Sequence, residues 1–138
     1  MSPPPQLRQL TIVGGGNMGG ALLGGLLDSE VIEPEALAVV EVLEARRREL
    51  ASTFPDVLVT DVVPPTRAAL IAVKPGDVAG AAATAAAAGA TRILSIAAGV
   101  RLSTIEAAVG SDVAVVRAMP NTPALVRLGA SAIAPGTA

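Results

Sequence analysis

The sequence contains no cysteine and no histidine, and a single phenylalanine is its only aromatic residue. Without cysteine, disulfide bonds and thiolate chemistry are excluded. Without histidine, the chain cannot supply a histidine general base, a catalytic triad that uses histidine, or the ligands of most zinc sites. We therefore predict no metal site, and a core built from Val, Leu, Ile and Ala.

Strong positive charge and long apolar segments are also absent. Ten Lys and Arg residues face twelve Asp and Glu residues, giving a net charge of −2, whereas nucleic-acid-binding domains are usually strongly basic. The segment Met1–Arg8 lacks the apolar core of a signal peptide, and no apolar run approaches the ~18 residues of a membrane span. The sequence predicts a cytoplasmic protein with no nucleic-acid and no membrane partner, and one domain over residues 1–138.

Short apolar runs alternate with stretches of helical spacing along the whole chain. The predicted strands are Gln9–Val13, Leu37–Val40, Val57–Val59, Ala68–Val73, Thr91–Ile96, Val113–Val116 and a seventh at Ala130–Ala134. The predicted helices are Met18–Leu27, Leu43–Ala51, Val78–Ala88 with Asp77 as N-cap and Gly89 at its end, and Ser103–Val109; Asp61–Arg67 is predicted as a loop. Strands that are apolar throughout are buried on both faces. The sequence therefore predicts an α/β fold of the Rossmann type, a doubly wound, mostly parallel sheet with helices on both faces.

The stretch GGGNMGG, Gly14–Gly20, lies between the first predicted strand and the first predicted helix. Gly14, Gly16 and Gly19 form the pattern G-x-G-x-x-G, and Glu41 ends the next strand, 22 residues after Gly19. In dinucleotide-binding turns, one glycine makes the tight turn, one lets the backbone approach the pyrophosphate, and one allows the helix to pack on the strand. We predict a dinucleotide turn; the alternative is a glycine-rich bend in a protein without nucleotide.

Three further glycines, Gly20, Gly24 and Gly25, fall inside the predicted helix. Each costs a helix about 1 kcal/mol relative to alanine. We expect them to let this helix lie unusually close to the sheet.

Glu41 is the residue that bears on the choice of cofactor. Its carboxylate is expected to accept hydrogen bonds from an adenosine ribose diol and to repel a 2′-phosphate, which favours NAD over NADP. Two alternatives stay open. Arg46 or Arg47, on the following helix, could reach a 2′-phosphate, or Glu41 could be an exposed strand-end carboxylate without a ligand.

Three more segments follow predicted strands, at the edge where ligands bind in this fold. They are AVKP at Ala72–Pro75, SIAAGV at Ser95–Val100 and RAMPNTP at Arg117–Pro123. Singly, each has an ordinary explanation: a generic turn, tight packing, or a rigid connector in which Asn121 bonds its own backbone. Together with the glycine turn they predict one cleft.

These motifs, in this order, resemble the pyrroline-5-carboxylate reductases from about Leu10 to Ala134, with RAMPNTPALVRLGASAI the most specific of them. The resemblance implies reduction of the cyclic imine of 1-pyrroline-5-carboxylate to L-proline with NAD(P)H, the last step of proline synthesis, with the cofactor carrying the hydride and no catalytic side chain assigned. It implies a pyrophosphate site at Val13, Gly14, Gly15, Gly16, Asn17 and Met18, beside Gly19 of the pattern. It further implies that Ala72, Val73, Lys74 and Pro75 flank the adenosine ribose and pyrophosphate. Around the nicotinamide it implies Ala97, Ala98, Gly99, Met119, Pro120 and Asn121, with Arg117 fixing the last loop.

The chain departs from the family in two places. Between Thr60 and Leu70 it is a few residues shorter, with Pro64 and Pro65 replacing a short helix. The family also continues beyond the equivalent of Ala138 with a helical domain through which full-length members homo-oligomerise and hold the imino-acid substrate. We expect either a truncated cofactor-binding domain, monomeric or weakly dimeric, or a natural short protein. The alternative functions are a non-catalytic dinucleotide-binding module and a related imine- or hydroxyacid-type oxidoreductase.

Overall fold

One seven-stranded sheet organises the computed structural model, which describes residues 6–120 and 131–137. The strands are β1 Arg8–Val13, β2 Leu37–Val40, β3 Leu58–Thr60, β4 Thr66–Ile71, β5 Arg92–Ser95, β6 Ala114–Pro120 and β7 Ser131–Pro135. The helices are α1 Asn17–Asp28, α2 Glu44–Thr53, α3 Val78–Ala87 and α4 Leu102–Val109, with short 3₁₀ turns at Pro34–Ala36 and Pro75–Asp77. This is the α/β, Rossmann-type fold predicted from the sequence.

The strand order is β3-β2-β1-β4-β5-β6-β7. The first six strands pair in parallel, and β7 pairs antiparallel with β6. The chain moves outward from β1 to β3 and then returns to place β4 on the other side of β1. The strand order therefore reverses between β1 and β4, and open α/β sheets bind ligands outside the carboxyl ends of the strands at such a point.

Two apolar clusters lie on the two faces of the sheet. On one face, Leu23 of α1 and Leu50 of α2 pack with Ile12 and Val39. On the other, alanines of α3 and Ile105 of α4 pack with Val13, Ile71 and Ile93. Helices therefore cover both faces, as predicted. Beside α1, the first of these faces leaves an apolar groove of about 540 Å³ over β4, β5 and β6, lined by residues that include Leu10, Leu26, Leu94 and Val116.

Some predicted boundaries were wrong. Thr66 and Arg67 were expected in a loop, but they begin β4, because Thr66 pairs with Arg8 of β1 and anchors its hydroxyl on the Ala68 carbonyl oxygen at 2.9 Å. Asp77 does precede α3, yet its side chain makes no capping hydrogen bond. Gly89 follows the end of α3 with a φ of +105°, as the sequence predicted.

The expected role of the helix glycines was also wrong. A Cβ at Gly20 would lie 2.7 Å from Arg46 Nη2, and a Cβ at Gly24 would lie 3.7 Å from the Phe54 ring. Both glycines therefore face α2 and the residue after it. At Gly25 a Cβ would meet nothing within 4 Å. Of these three, none brings α1 onto the sheet; Gly19, which a Cβ would drive into the Gly14 carbonyl oxygen, has that role.

None of the four helices within the described residues is long and apolar enough to cross a membrane.

Candidate functional site at the sheet edge

Main-chain hydrogen bonds bring the ends of β1, β2 and β4 to one edge of the sheet. The Gly14 N–H donates to the Val40 carbonyl oxygen at 2.8 Å, and the Ala72 N–H donates to the Val13 carbonyl oxygen at 2.8 Å. Strand pairing therefore continues one residue into the glycine turn on one side and into the AVKP segment on the other. The parallel register places these two loops and Glu41 side by side at the carboxyl ends of the strands.

A cleft of about 430 Å³ opens where these loops meet. It lies at the reversal of strand order between β1 and β4, with β2 forming its other wall. The residues that line it are Val13, Gly14, Gly16, Val40, Glu41, Val42, Leu43, Ala72, Val73, Lys74 and Asp77. Two of the segments that the sequence singled out, the glycine turn and AVKP, therefore lie with Glu41 around a single cleft.

The glycine turn has no room for a side chain at Gly14, Gly15 and Gly19, but it is open at Gly16. Gly14 has a φ of +107°, and a Cβ there would collide with the Ala72 carbonyl oxygen. Gly19 packs its backbone against Gly14 in the same way. Gly16, the N-cap of α1, has a φ of −71° and nothing within 4 Å of a Cβ. The turn thus presents open space at Gly16 beside the first turn of α1, whose N–H groups favour anions.

Glu41 lies directly beside the glycine turn. Its Oε1 accepts a hydrogen bond from the Gly15 N–H at 3.2 Å, and its Oε2 accepts one from the Leu43 N–H at 2.9 Å. Each carboxylate oxygen retains a further lone pair. The carboxylate therefore orders the turn and can still accept hydrogen bonds from a ligand in the cleft.

The two arginines considered as phosphate ligands both donate to the main chain. Arg46 Nε donates to the Gly15 carbonyl oxygen at 2.6 Å, and Arg46 Nη1 pairs with Glu49 at 2.9 Å. Arg47 Nη1 donates to the carbonyl oxygens of Glu41 and Val42 at 2.8 and 2.9 Å. Neither arginine is among the residues that line the cleft.

Val42 and Leu43 line the cleft, and sequence reasoning missed them. Their side chains are 78% and 65% exposed, unusually high for large apolar residues. The available signal was two apolar residues directly after Glu41, at an edge where ligands bind. Such a surface suits the flat apolar face of a base.

The structure separates the other predicted residues from this cleft. Ala97 is buried after β5, where its N–H donates to Ser95 Oγ at 3.4 Å, and Ala98 and Gly99 follow at the surface. Met119, in β6, accepts a weak hydrogen bond on its sulfur from Arg117 Nη2 at 3.7 Å. These residues lie at the same sheet edge, beyond β4, but do not line the 430 Å³ cleft.

The remaining predicted residues have these places. Asn17, Met18 and Gly19 form the start of α1, Pro75 begins a 3₁₀ turn, and Pro120 ends β6. Asn121 lies outside the described residues.

Comparison with known proteins points to one family. A family model described as NADP oxidoreductase coenzyme F420-dependent matches residues 9–99. Pyrroline-5-carboxylate reductase of Mycobacterium leprae is 37% identical over 94% of this chain and 47% of its own length. The chain therefore spans about half the length of the curated relatives it matches.

Solved structures agree on the fold. A pyrroline-5-carboxylate reductase of Coxiella burnetii superposes with a TM-score of 0.84 at 26% identity, over 94% of this chain and 50% of that one. The Plasmodium falciparum pyrroline carboxylate reductase, solved with NADP bound, superposes with a TM-score of 0.74 over 94% of this chain and 48% of that one; its 23% identity supports the fold alone. The chain belongs to the family described as NADP oxidoreductase coenzyme F420-dependent, and it corresponds to the N-terminal, dinucleotide-binding half of the pyrroline-5-carboxylate reductases.

Proposed function

We propose that this chain is the cofactor-binding part of a pyrroline-5-carboxylate reductase and that its cleft holds the adenosine and pyrophosphate portion of a nicotinamide dinucleotide. The observation that carries the proposal is the convergence of the glycine turn, Glu41 and the AVKP loop on one cleft at the reversal of strand order. The relatives are named pyrroline-5-carboxylate reductases, and the proposed reaction follows from that name.

The residues around the cleft fit such a cofactor. The open space at Gly16 and the N-terminus of α1 suit a pyrophosphate. Glu41 has lone pairs for the ribose hydroxyls, and Val42 and Leu43 provide an apolar wall for adenine. Lys74, exposed at the opposite wall, adds a positive charge for the phosphates.

When bound, reduced nicotinamide supplies a hydride to the imine carbon. The chain's own contribution would be to hold the cofactor, with residues at the ends of β5 and β6 around the nicotinamide. Ala98 and Gly99, exposed beyond the buried Ala97, leave space at that end, and Met119, 38% exposed, offers an apolar surface. Pro120 and Asn121 complete the nicotinamide end in this proposal. The imino-acid substrate binds beside them, and full-length homo-oligomers supply further contacts to it.

We propose NADH as the preferred cofactor over NADPH. Glu41 presents a negative charge to the ribose position, and both nearby arginines are engaged with main-chain oxygens. A 2′-phosphate would therefore meet the Glu41 carboxylate, while both arginines already donate to main-chain oxygens. Calorimetric titration of the chain with both cofactors tests this preference; tighter binding of NADPH would contradict it.

Activity is tested by following NADH oxidation at 340 nm with 1-pyrroline-5-carboxylate, and NAD⁺ reduction with L-proline at high pH. We expect imine-dependent oxidation once the chain is joined to the remaining half of a full-length relative. Cofactor binding without turnover in that fused protein would favour a non-catalytic module. Turnover of other imines or hydroxyacids, but not of this substrate, would favour a different oxidoreductase. A cytoplasmic location stays a prediction of the sequence.

A further inference from the structure

The guanidinium group of Arg46 contacts the glycine turn at two carbonyl oxygens. Arg46 is in the first turn of α2, where a cation opposes the helix dipole. Its Nε donates to the Gly15 carbonyl oxygen at 2.6 Å, and its Nη2 lies 3.4 Å from the Gly16 carbonyl oxygen. Its third nitrogen, Nη1, is held by Glu49 at 2.9 Å. All three nitrogens of the group are therefore engaged.

Gly20 provides the space for this contact. A Cβ at Gly20 would lie 2.7 Å from Arg46 Nη2, closer than real contacts allow. A glycine inside a helix costs about 1 kcal/mol relative to alanine, and packing on the sheet does not account for this one. Gly20 is unfavourable inside α1, and Arg46 is unfavourable in the first turn of α2. The contact between them explains why each residue stands where it does.

The contact also fixes the direction of the Gly16 N–H on the other side of the turn. In a trans peptide unit the carbonyl oxygen of one residue and the N–H of the next point in opposite directions, and the described residues contain no cis peptide bond. Holding the Gly15 oxygen towards α2 therefore directs the Gly16 N–H away from it. The Gly16 oxygen also accepts the Gly20 N–H at 2.8 Å, so α1 itself sets the direction of the Asn17 N–H. Glu41 already takes the Gly15 N–H. Within the described residues, no group accepts the Gly16 N–H.

We propose that Arg46 is a positioning residue for the glycine turn, holding the Gly15 carbonyl oxygen so that the Gly16 N–H is preset for a pyrophosphate. In this arrangement Arg46 is not the ligand of a 2′-phosphate. The inference rests on the proposed cofactor site, because a preset turn matters to binding only if a phosphate group enters it.

The test compares Arg46→Gln with the matched control Arg48→Gln in calorimetric titrations with NADH and NADPH. Arg48 is on the same helix, is 76% exposed and pairs with Glu44. Because hydrogen bonds to charged groups are strong, we expect Arg46→Gln to weaken both cofactors by the same factor, about tenfold, and Arg48→Gln to leave both unchanged. Loss confined to NADPH would overturn the proposal in favour of a 2′-phosphate contact, and so would unchanged binding of both.

Two further measurements distinguish positioning of the glycine turn by Arg46 from a general contribution of Arg46 to the stability of the fold. Adenosine, which lacks phosphates, should shift the amide NMR signals of Arg46→Gln and the wild type at the same concentrations, whereas general damage to the fold would weaken adenosine too. Gly20→Ala, which displaces the guanidinium, should weaken NADH similarly, and the double variant should be no weaker than Arg46→Gln. Additive losses would show that Gly20 and Arg46 act independently and would contradict the account.

Failure of the cofactor proposal gives a different result. If the wild-type chain binds neither NADH nor NADPH, the proposed cofactor site is wrong, and the positioning role of Arg46 is tested without ligand. Arg46→Gln should then still move the amide resonance of Gly16 while Arg48→Gln does not. Unmoved resonances in both variants would overturn the positioning role itself.

Discussion

Gly16→Ala should separate folding of the glycine turn from its use as a phosphate site. In the structure, a Cβ at Gly16 meets nothing within 4 Å, and its φ of −71° is one that alanine adopts readily. Replacing glycine where the conformation is allowed stabilises by about 0.4–1 kcal/mol through the unfolded chain. Alanine is a poorer N-cap than glycine by a similar amount. The free energy of unfolding should therefore stay within about 1 kcal/mol of the wild type.

Binding should respond very differently. Gly16 lines the cleft, and a methyl group there occupies the side of the turn that a pyrophosphate must approach. Loss of one hydrogen bond to a charged group costs about 1.5–3 kcal/mol, so the Kd for NADH should rise between about tenfold and a hundredfold. Calorimetry gives the Kd, and urea unfolding followed by circular dichroism gives the free energy of unfolding.

The matched control is Gly25→Ala. It makes the same chemical change in α1, also with nothing within 4 Å of the new Cβ, but Gly25 is not among the residues that line the cleft. This variant should be about 1 kcal/mol more stable, since alanine favours the helix interior, and should bind NADH as the wild type does. Equal NADH affinity of Gly16→Ala and Gly25→Ala would refute the reasoning about the turn.

Three further predictions concern the cofactor preference, the turn and the core. Glu41→Gln removes a negative charge whose repulsion of a phosphate some 4 Å away is worth about 1 kcal/mol in water. The ratio of the NADPH Kd to the NADH Kd should therefore fall about fivefold in Glu41→Gln and stay unchanged in Glu44→Gln. Calorimetry with both cofactors measures this ratio. Gly19→Ala drives a Cβ into the Gly14 carbonyl oxygen and should cost about 3 kcal/mol in urea unfolding, unlike Gly16→Ala; a loss below 1 kcal/mol would contradict the crowding seen at this position. Thr11 is fully buried with an unpartnered hydroxyl, whereas the equally buried Thr66 donates to the Ala68 oxygen. Thr11→Val should therefore raise the free energy of unfolding by about 1 kcal/mol and Thr66→Val should lower it by about as much, and the same sign for both would contradict this assignment.

The sheet was predictable because its strands are continuous apolar runs, and the segments between them have apolar residues at helical spacing. β2 came out at Leu37–Val40 as expected, since all four residues are buried and the charged Glu41 follows. The start of β4 was missed because Thr66 and Arg67 are polar. Their strand conformation depends on pairing with Arg8, a contact between residues far apart in the chain.

The glycine turn and Glu41 could be placed together from sequence, since strand ends in a parallel sheet share an edge. What sequence could not supply was the partner of each side chain. Arg46 has the spacing of an exposed helical residue, yet it reaches back to Gly15 through the gap at Gly20. Likewise, helical spacing alone could not show that Gly20 and Gly24 face α2 rather than the sheet.

The central claim, that the glycine turn at the end of β1 receives a dinucleotide, is tested most directly by an amide NMR titration of the 13.6 kDa chain with NADH. We expect the largest shifts on the amides of Gly14, Gly15, Gly16 and Asn17 and on those beside Glu41. Shifts concentrated elsewhere, or none at millimolar NADH, would contradict it.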